Sequence, residues 1–207
     1  MSEHIPMEKF PSIYDTIALM RTLHKGQTDR AGQPYWLHPL RVMLRLGADA
    51  HPVEKHAALL HDTIEDCGVT GLFLARQGYG PRVIHVVNLL TREPGLSYRN
   101  YIKRILESDN DWAMRCKLAD NYDNAAPGRL PLTDPDLAGY VNERLLPTIA
   151  KMEPALRARG LRFPLAGDPP EAAHALRAFW PPAYPHATEV DFVGALETAT
   201  FCKAFGE

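Results

Sequence analysis

In LLHDTIEDCG at 59–68, the pair His61-Asp62 is followed one helical turn later by Glu65-Asp66. Residues four apart on a helix lie above one another, so a helical reading stacks His61 with Glu65 and Asp62 with Asp66 in one polar quadrant. Three carboxylates this close, near a helix C-terminus whose dipole already disfavours negative charge, repel one another or hold a proton unless a cation sits among them. A frayed, solvated acidic helix end is the bland alternative. Two other segments carry groups of the same kind. In GQPYWLHPLRVMLRLG, His38 stands immediately before Pro39. Proline at the first helical position puts that histidine at or near the N-cap, projecting from a fixed backbone. In MRCKLADNYDN, Lys117, Asp120, Asn121 and Asn124 recur at i, i+3, i+4 and i+7 on one helix face. Trp112, Cys116 and Leu118 supply apolar surface elsewhere on that helix and favour an interior carboxylate at Asp120. A solvated stripe is the alternative there.

The elements that must position these groups read as helices throughout, with no convincing alternating strand. The periodicity predicts helices at 11–24, 39–48, 53–67, 70–77, 80–90, 98–107, 111–124 and 135–158, an all-α bundle. Ile13, Ile17, Met20 and His24 keep helical spacing in the first, and Val83, Val86, Val87 and Leu90 do so in the fifth. Ala57, Ala58, Leu59 and Leu60 predict a buried third helix, and Gly68 its left-handed cap. The PGRLPLTDP stretch at 127–135 reads as a connection, and a proline-rich loop at 164–170 closes a first domain at 1–165. Residues 166–207 read as a helical extension packed on the same domain, with helices in EAAHALRAFW and TEVDFVGALETATFCKAF. Its Trp180, Phe192, Phe201 and Phe205 suit core or oligomer contacts better than a ligand box.

With 207 residues and 45% hydrophobic side chains, the chain can bury one sizeable core. A formal net charge of −2 and few interleaved aromatics argue against a nucleic-acid partner. No run approaches the roughly 18 apolar residues of a membrane span, and MSEHIPMEKF holds no signal-peptide core, so a cytoplasmic location is expected. Cys67, Cys116 and Cys202 are widely spaced without a CxxC pair, which suits small buried hydrophobes rather than disulfides or a zinc knuckle. Oligomeric state stays open.

Taken in order, His38, His61-Asp62 and Asp120 resemble the His, His-Asp, Asp pattern of the HD-domain metal-dependent phosphohydrolases. HKGQTDRAGQPYWLHPLRV at 24–42, ALLHDTIED at 58–66, YGPRVIHVVNLLTR at 79–92 and CKLADNYDN at 116–124 narrow the resemblance. They are similar to the hydrolase domain of the RelA/SpoT alarmone enzymes, and more closely to the short stand-alone hydrolases of that group, across 10–150. The resemblance implies an HD-type helical bundle with one divalent ion, usually Mn²⁺, on His38, His61, Asp62 and Asp120. Two imidazoles and two carboxylates suit Mn²⁺ or Fe²⁺, although the ligands alone leave Ni²⁺, Cu²⁺ and Zn²⁺ open. Such an ion lowers the pKa of bound water and polarises a phosphoryl oxygen, which makes Glu65 and Asp66 the natural proton handlers.

Lys25 and Arg30, in the glycine-flanked loop ahead of His38, are the expected phosphate or base contacts. Tyr35 is expected to line the nucleoside pocket, and Lys117 and Asn124 to meet the substrate from the Asp120 helix. Arg21, Arg41 and Arg45 read as a solvated helix face, and His24 as a structural hydrogen bonder. The chain departs from the family pattern at Asp29-Arg30, where two basic residues are usual, at Asn121, and at Ala125-Ala126. The expected reaction is removal of the 3′-pyrophosphate of guanosine tetra- or pentaphosphate, and 207 residues leave no room for a synthetase domain. An adenosine alarmone or a phosphate of NADPH are the alternative substrates, and a catalytically silent nucleotide-sensing module the alternative class.

Overall fold

A computed structural model describes residues 10–126 and 135–164 of the chain, and among them every regular element is helical. Helix α1 (Ile13–Leu23) opens with a capping box: the Ser12 hydroxyl accepts the Asp15 N–H, and the Asp15 carboxylate accepts the Ser12 N–H. Next come α2 (Leu37–Arg45), α3 (Pro52–Leu60) and the short α4 (Thr63–Cys67). The imidazole of His51 caps α3 by accepting the Val53 N–H, and Gly68, at φ +66°, ends α4 in the left-handed region. Helices α5 (Gly71–Arg76), α6 (Pro81–Leu90), α7 (Tyr98–Glu107) and α8 (Asp111–Ala125) follow. The stretch read as a connection falls on residues 127–134, outside the described residues; after it, α9 (Pro135–Tyr140) runs through a π-helical turn (Val141–Leu145) into α10 (Leu146–Ala158).

Helix α3 is the axis of the bundle. It packs against α2, α6, α1 and α8, and Ala57, Ala58, Leu59 and Leu60 are fully buried. Burial on all sides explains why its apolar residues form a continuous run rather than a stripe. Helix α8 is enclosed by α10 on one side and by α2 and α3 on the other. Its polar residues Asp120, Asn121 and Asp123 are therefore as deeply buried as Met114 and Leu118. Buried polar groups of this kind require partners or a ligand.

Three expected boundaries shift, each for a local reason. The helix expected at 53–67 is two, broken at His61-Asp62. There the Thr63 hydroxyl donates to the Leu60 carbonyl (2.7 Å) and His61 Nδ1 to the Ala58 carbonyl (2.8 Å), side-chain bonds that bend a helix away from its regular ladder. Glu65 and Asp66 thus start a new helix instead of continuing the old one. Helix α2 begins at Leu37, so Pro39 stands inside the first turn and His38 is helical, not its cap. The segment expected to be one helix at 135–158 carries the π-helical turn just ahead of Pro147, which lacks the N–H that a regular α-helix would donate to Glu143. The extension at 166–207, its two helices and Cys202 lie outside the described residues. Among the described residues no helix is long and apolar enough to cross a membrane.

Candidate metal centre and its cavity

Four elements bring His38, His61, Asp62 and Asp120 to one point. His38 comes from the first turn of α2, His61 and Asp62 from the break between α3 and α4, and Asp120 from the middle of α8. His38, His61 and Asp62 each offer an atom within 4.8 Å of the others. Asp120 Oδ1 lies 3.1 Å from His38 Nε2 and 3.8 Å from His61 Nε2, while Asp62 Oδ2 lies 2.9 Å from His61 Nε2.

The protons of the two rings decide what this arrangement can hold. The Nδ1 of His61 faces a backbone carbonyl and that of His38 faces the Asp123 carboxylate at 2.8 Å, both acceptors. Each Nδ1 therefore carries the hydrogen, and in the neutral ring each Nε2 presents a lone pair to the cluster. His61 Nε2 is buried without an aligned hydrogen-bond partner although Asp62 is only 2.9 Å away. Burial opposes charge on His61, but Asp62 and Asp120 outweigh it and raise its pKa well above the usual histidine value. Burial likewise opposes charge on the acids, yet His61 holds Asp62 below the usual carboxylate range and Lys117 does the same for Asp120. Two ionised carboxylates beside two imidazole lone pairs attract a cation, whether a proton or a divalent ion. The donor set therefore fits a divalent metal.

This cluster floors a cavity of about 400 Å³. Glu65 and Asp66 line it, and their surroundings differ. Glu65 accepts the backbone N–H of Arg92 (2.9 Å), with the Arg92 Nε 3.9 Å from its other oxygen. Burial, then the neighbouring Asp62, raises the pKa of Asp66. Tyr35 also lines the cavity and donates its hydroxyl to Asp62 (2.7 Å). Burial and then the Asp62 charge push that phenol far above its ordinary pKa, so it remains a donor.

Lys117 and Asn124 are turned to the His-Asp cluster itself: Lys117 Nζ donates to Asp120 Oδ2 and Asn124 Nδ2 to Asp120 Oδ1, each at 2.6 Å. Both still line the cavity. Lys25 does not. It lies in a neighbouring depression with Arg21, His24 and Trp36, where the Arg21 guanidinium stacks on the Trp36 ring at 4.9 Å. His24 is buried and hydrogen-bonded to Gln27 Oε1 at 2.7 Å. Arg30 does reach the cavity, and Asp29 sets the loop that carries it. The Asp29 carboxylate accepts the N–H groups of Ala31 and Gln33, both at 2.9 Å, and closes the turn. The departure from two basic residues thus exchanges a cation for a loop anchor.

Several contributors went unread. Arg41 and Arg45 are buried, not solvated, and both donate to the equally buried Asp123. Their spacing from His38, i+3 and i+7, was legible as one helix face. Tyr98, Tyr101, Tyr140 and Arg144 form the opposite wall of the cavity. The Tyr140 ring has the Arg30 guanidinium at 5.2 Å and that of Arg144 at 5.9 Å; Arg144 also sits 5.9 Å from Tyr98, and Lys117 5.2 Å from Tyr101. This row of alternating cations and rings comes from α7, α8, α9, the π-helical turn and the Arg30 loop, which no local spacing links.

No protein-family model matches the chain. The guanosine-3′,5′-bis(diphosphate) 3′-pyrophosphohydrolase of Vibrio cholerae is 30% identical over 134 residues, 59% of this chain and 19% of that protein. The enzyme of the same name from Aquifex aeolicus is 36% identical over 110 residues, 49% of this chain and 15% of that protein. The chain thus spans under a fifth of the length of these curated relatives. Among solved structures, a metazoan ortholog of SpoT that hydrolyses ppGpp superposes with a TM-score of 0.53 at 23% identity, across 74% of this chain and 99% of that one. The all-α fold is therefore shared with that SpoT ortholog.

Proposed function

We propose that the protein is a metal-dependent phosphohydrolase that removes pyrophosphate from the 3′ position of guanosine tetra- or pentaphosphate, releasing GDP or GTP. The observation that carries the reading is the convergence of two imidazole Nε2 atoms and two ionised carboxylates on the floor of a cation-walled cavity. The names of the relatives agree with it. His38, His61, Asp62 and Asp120 hold the divalent ion, with Mn²⁺ suited to this mixed nitrogen and oxygen set. Bound there, the ion supplies Lewis-acid activation of water and of a phosphoryl oxygen.

The remaining work falls to side chains. Water adds to the phosphorus bonded to the 3′ oxygen, the bond between them breaks, and a 3′-hydroxyl and pyrophosphate leave. Glu65 and Asp66 handle the two protons this exchange moves, one from the water and one to the 3′ oxygen. Lys117 and Asn124 keep Asp120 oriented, and Tyr35 does so for Asp62. Arg30 and Arg144, paired with no acid among the described residues, meet the second phosphate group, and Tyr140 between them offers a face to the base. Lys25 serves as a peripheral cation at the neighbouring depression. A cytoplasmic site of action goes with such a substrate.

The test is direct. Mn²⁺-loaded protein is incubated with guanosine tetraphosphate, and the products are resolved by anion exchange with Asp62→Ala as control. Release of GDP and pyrophosphate by the parent alone is expected. Intact substrate would overturn the reading, and adenosine alarmones and NADPH become the next substrates to assay.

A further inference from the structure

Behind the centre, one turn of α8 beyond Asp120, the Asp123 carboxylate is completely buried against three side chains of α2. Its Oδ2 accepts from His38 Nδ1 at 2.8 Å. Its Oδ1 accepts the Arg41 Nε at 2.9 Å and the Arg45 Nε at 3.3 Å. His38, Arg41 and Arg45 occupy successive turns of one face of α2, so a single carboxylate is fastened along that helix. The geometry assigns Asp123, clamped by Arg41 and Arg45, as the positioning residue of the centre. It fixes the tautomer and ring orientation of His38 and thereby sets the affinity for the divalent ion. The inference rests on the metal-site reading above.

The physical basis is the coupling between the two nitrogens of one imidazole. A carboxylate acceptor at Nδ1 holds the proton there, which leaves Nε2 as the lone-pair atom, 3.1 Å from Asp120 Oδ1 and 3.6 Å from Asp62 Oδ2. The same bond sets the angle of the ring and raises its basicity as a ligand. A carboxylate on a free rotor would do this poorly. Two guanidinium Nε–H donors, from a rigid helix packed directly on α8, hold Asp123 in the one orientation that serves His38. His61 achieves the equivalent with the Ala58 carbonyl, so the two imidazoles reach the ion with matched tautomers by different means.

Two measurements test the inference. Asp123→Asn keeps the shape but gives Nδ1 a weaker, reversible partner. Its affinity for Mn²⁺, read as free Mn²⁺ by electron paramagnetic resonance, should fall by about 10- to 100-fold. Unfolding of the metal-free variant reports its stability separately. A lowered unfolding temperature with unchanged affinity would mean that Asp123 is only structural and would overturn the assignment. Because that variant leaves two buried guanidiniums short of charge and could fail to fold, the second measurement uses the parent protein. With Zn²⁺ as a diamagnetic probe and ¹⁵N-labelled histidine, the His38 resonances, identified by their loss in His38→Gln, should show Nδ1 protonated and Nε2 coordinated. The opposite tautomer would overturn the inference while leaving the metal site standing. If neither ion binds the parent protein, the metal-site reading fails and this inference fails with it.

Discussion

Glu65 and Asp66 are adjacent in the chain and line the same cavity, yet their environments separate them. Both are partly exposed to solvent, but Glu65 is oriented by the Arg92 backbone, whereas partial desolvation and the charge of Asp62 raise the pKa of Asp66. Glu65 carries no metal contact in the proposed mechanism, so Glu65→Gln should retain Mn²⁺ affinity and lose about 10²- to 10⁴-fold in kcat. Parental turnover in that variant would remove Glu65 from the reaction. At this scale the candidate ligands were legible as residue types, and the structure brings His38, His61, Asp62 and Asp120 together. Their supports were not: nothing in the spelling of Asp123 or Tyr35 says which histidine or carboxylate each will face.

The break between α3 and α4 is the element that makes the centre. An unbroken helix would carry His61 and Asp62 around the axis by a fixed angle per residue, whereas the turn brings His61 Nε2 and Asp62 Oδ2 to 2.9 Å. Further up α3, His56 ties three elements together. Its Nδ1 meets the Thr16 hydroxyl of α1 at 2.9 Å, and Tyr79, ahead of α6, donates to that same hydroxyl. Burial, with a smaller contribution from Lys55, lowers the His56 pKa from 6.5 to about 4. A depressed folded-state pKa means that the unfolded chain binds the proton first. The contribution of neutral His56 is thus complete above pH 6.5 and is lost as pH falls toward 4, on the order of 3 kcal/mol across that window. Urea midpoints at several pH values should fall less steeply on acidification for His56→Gln than for the parent. Equal slopes would place the acid sensitivity elsewhere.

Across the molecule, the candidate centre joins helices that are distant in the chain, so an ion bound there would act as a cross-link between α2, the α3–α4 break and α8. Binding only to the folded state adds stability by mass action, about 2.7 kcal/mol when the ion stands at 100 times its Kd. Thermal unfolding should therefore rise with added Mn²⁺ and return to the metal-free value on chelation, with no response in Asp62→Ala. A parent protein whose unfolding ignores Mn²⁺ would contradict the centre as described. The cavity wall belongs to this scale too, because Arg30, Tyr98, Tyr140 and Arg144 meet only when α7, α9 and the π-helical turn close over the loop ahead of α2.

The sequence by itself determined the helical class, since its apolar periodicity admits no strand, and it marked His38, His61, Asp62 and Asp120, whose residue types are those that bind hard and borderline cations. The capping signal at Gly68 acts within a turn of chain and was readable for the same reason, whereas the caps at Ser12 and His51 emerged with the structure. Only the tertiary structure decided that Arg41 and Arg45 turn inward, that Lys25 stands apart from the cavity, and that Lys117 and Asn124 serve Asp120. Those outcomes depend on which helix packs beside which. Local propensity is blind to that choice, whereas the cost of burying an unpaired charge is not.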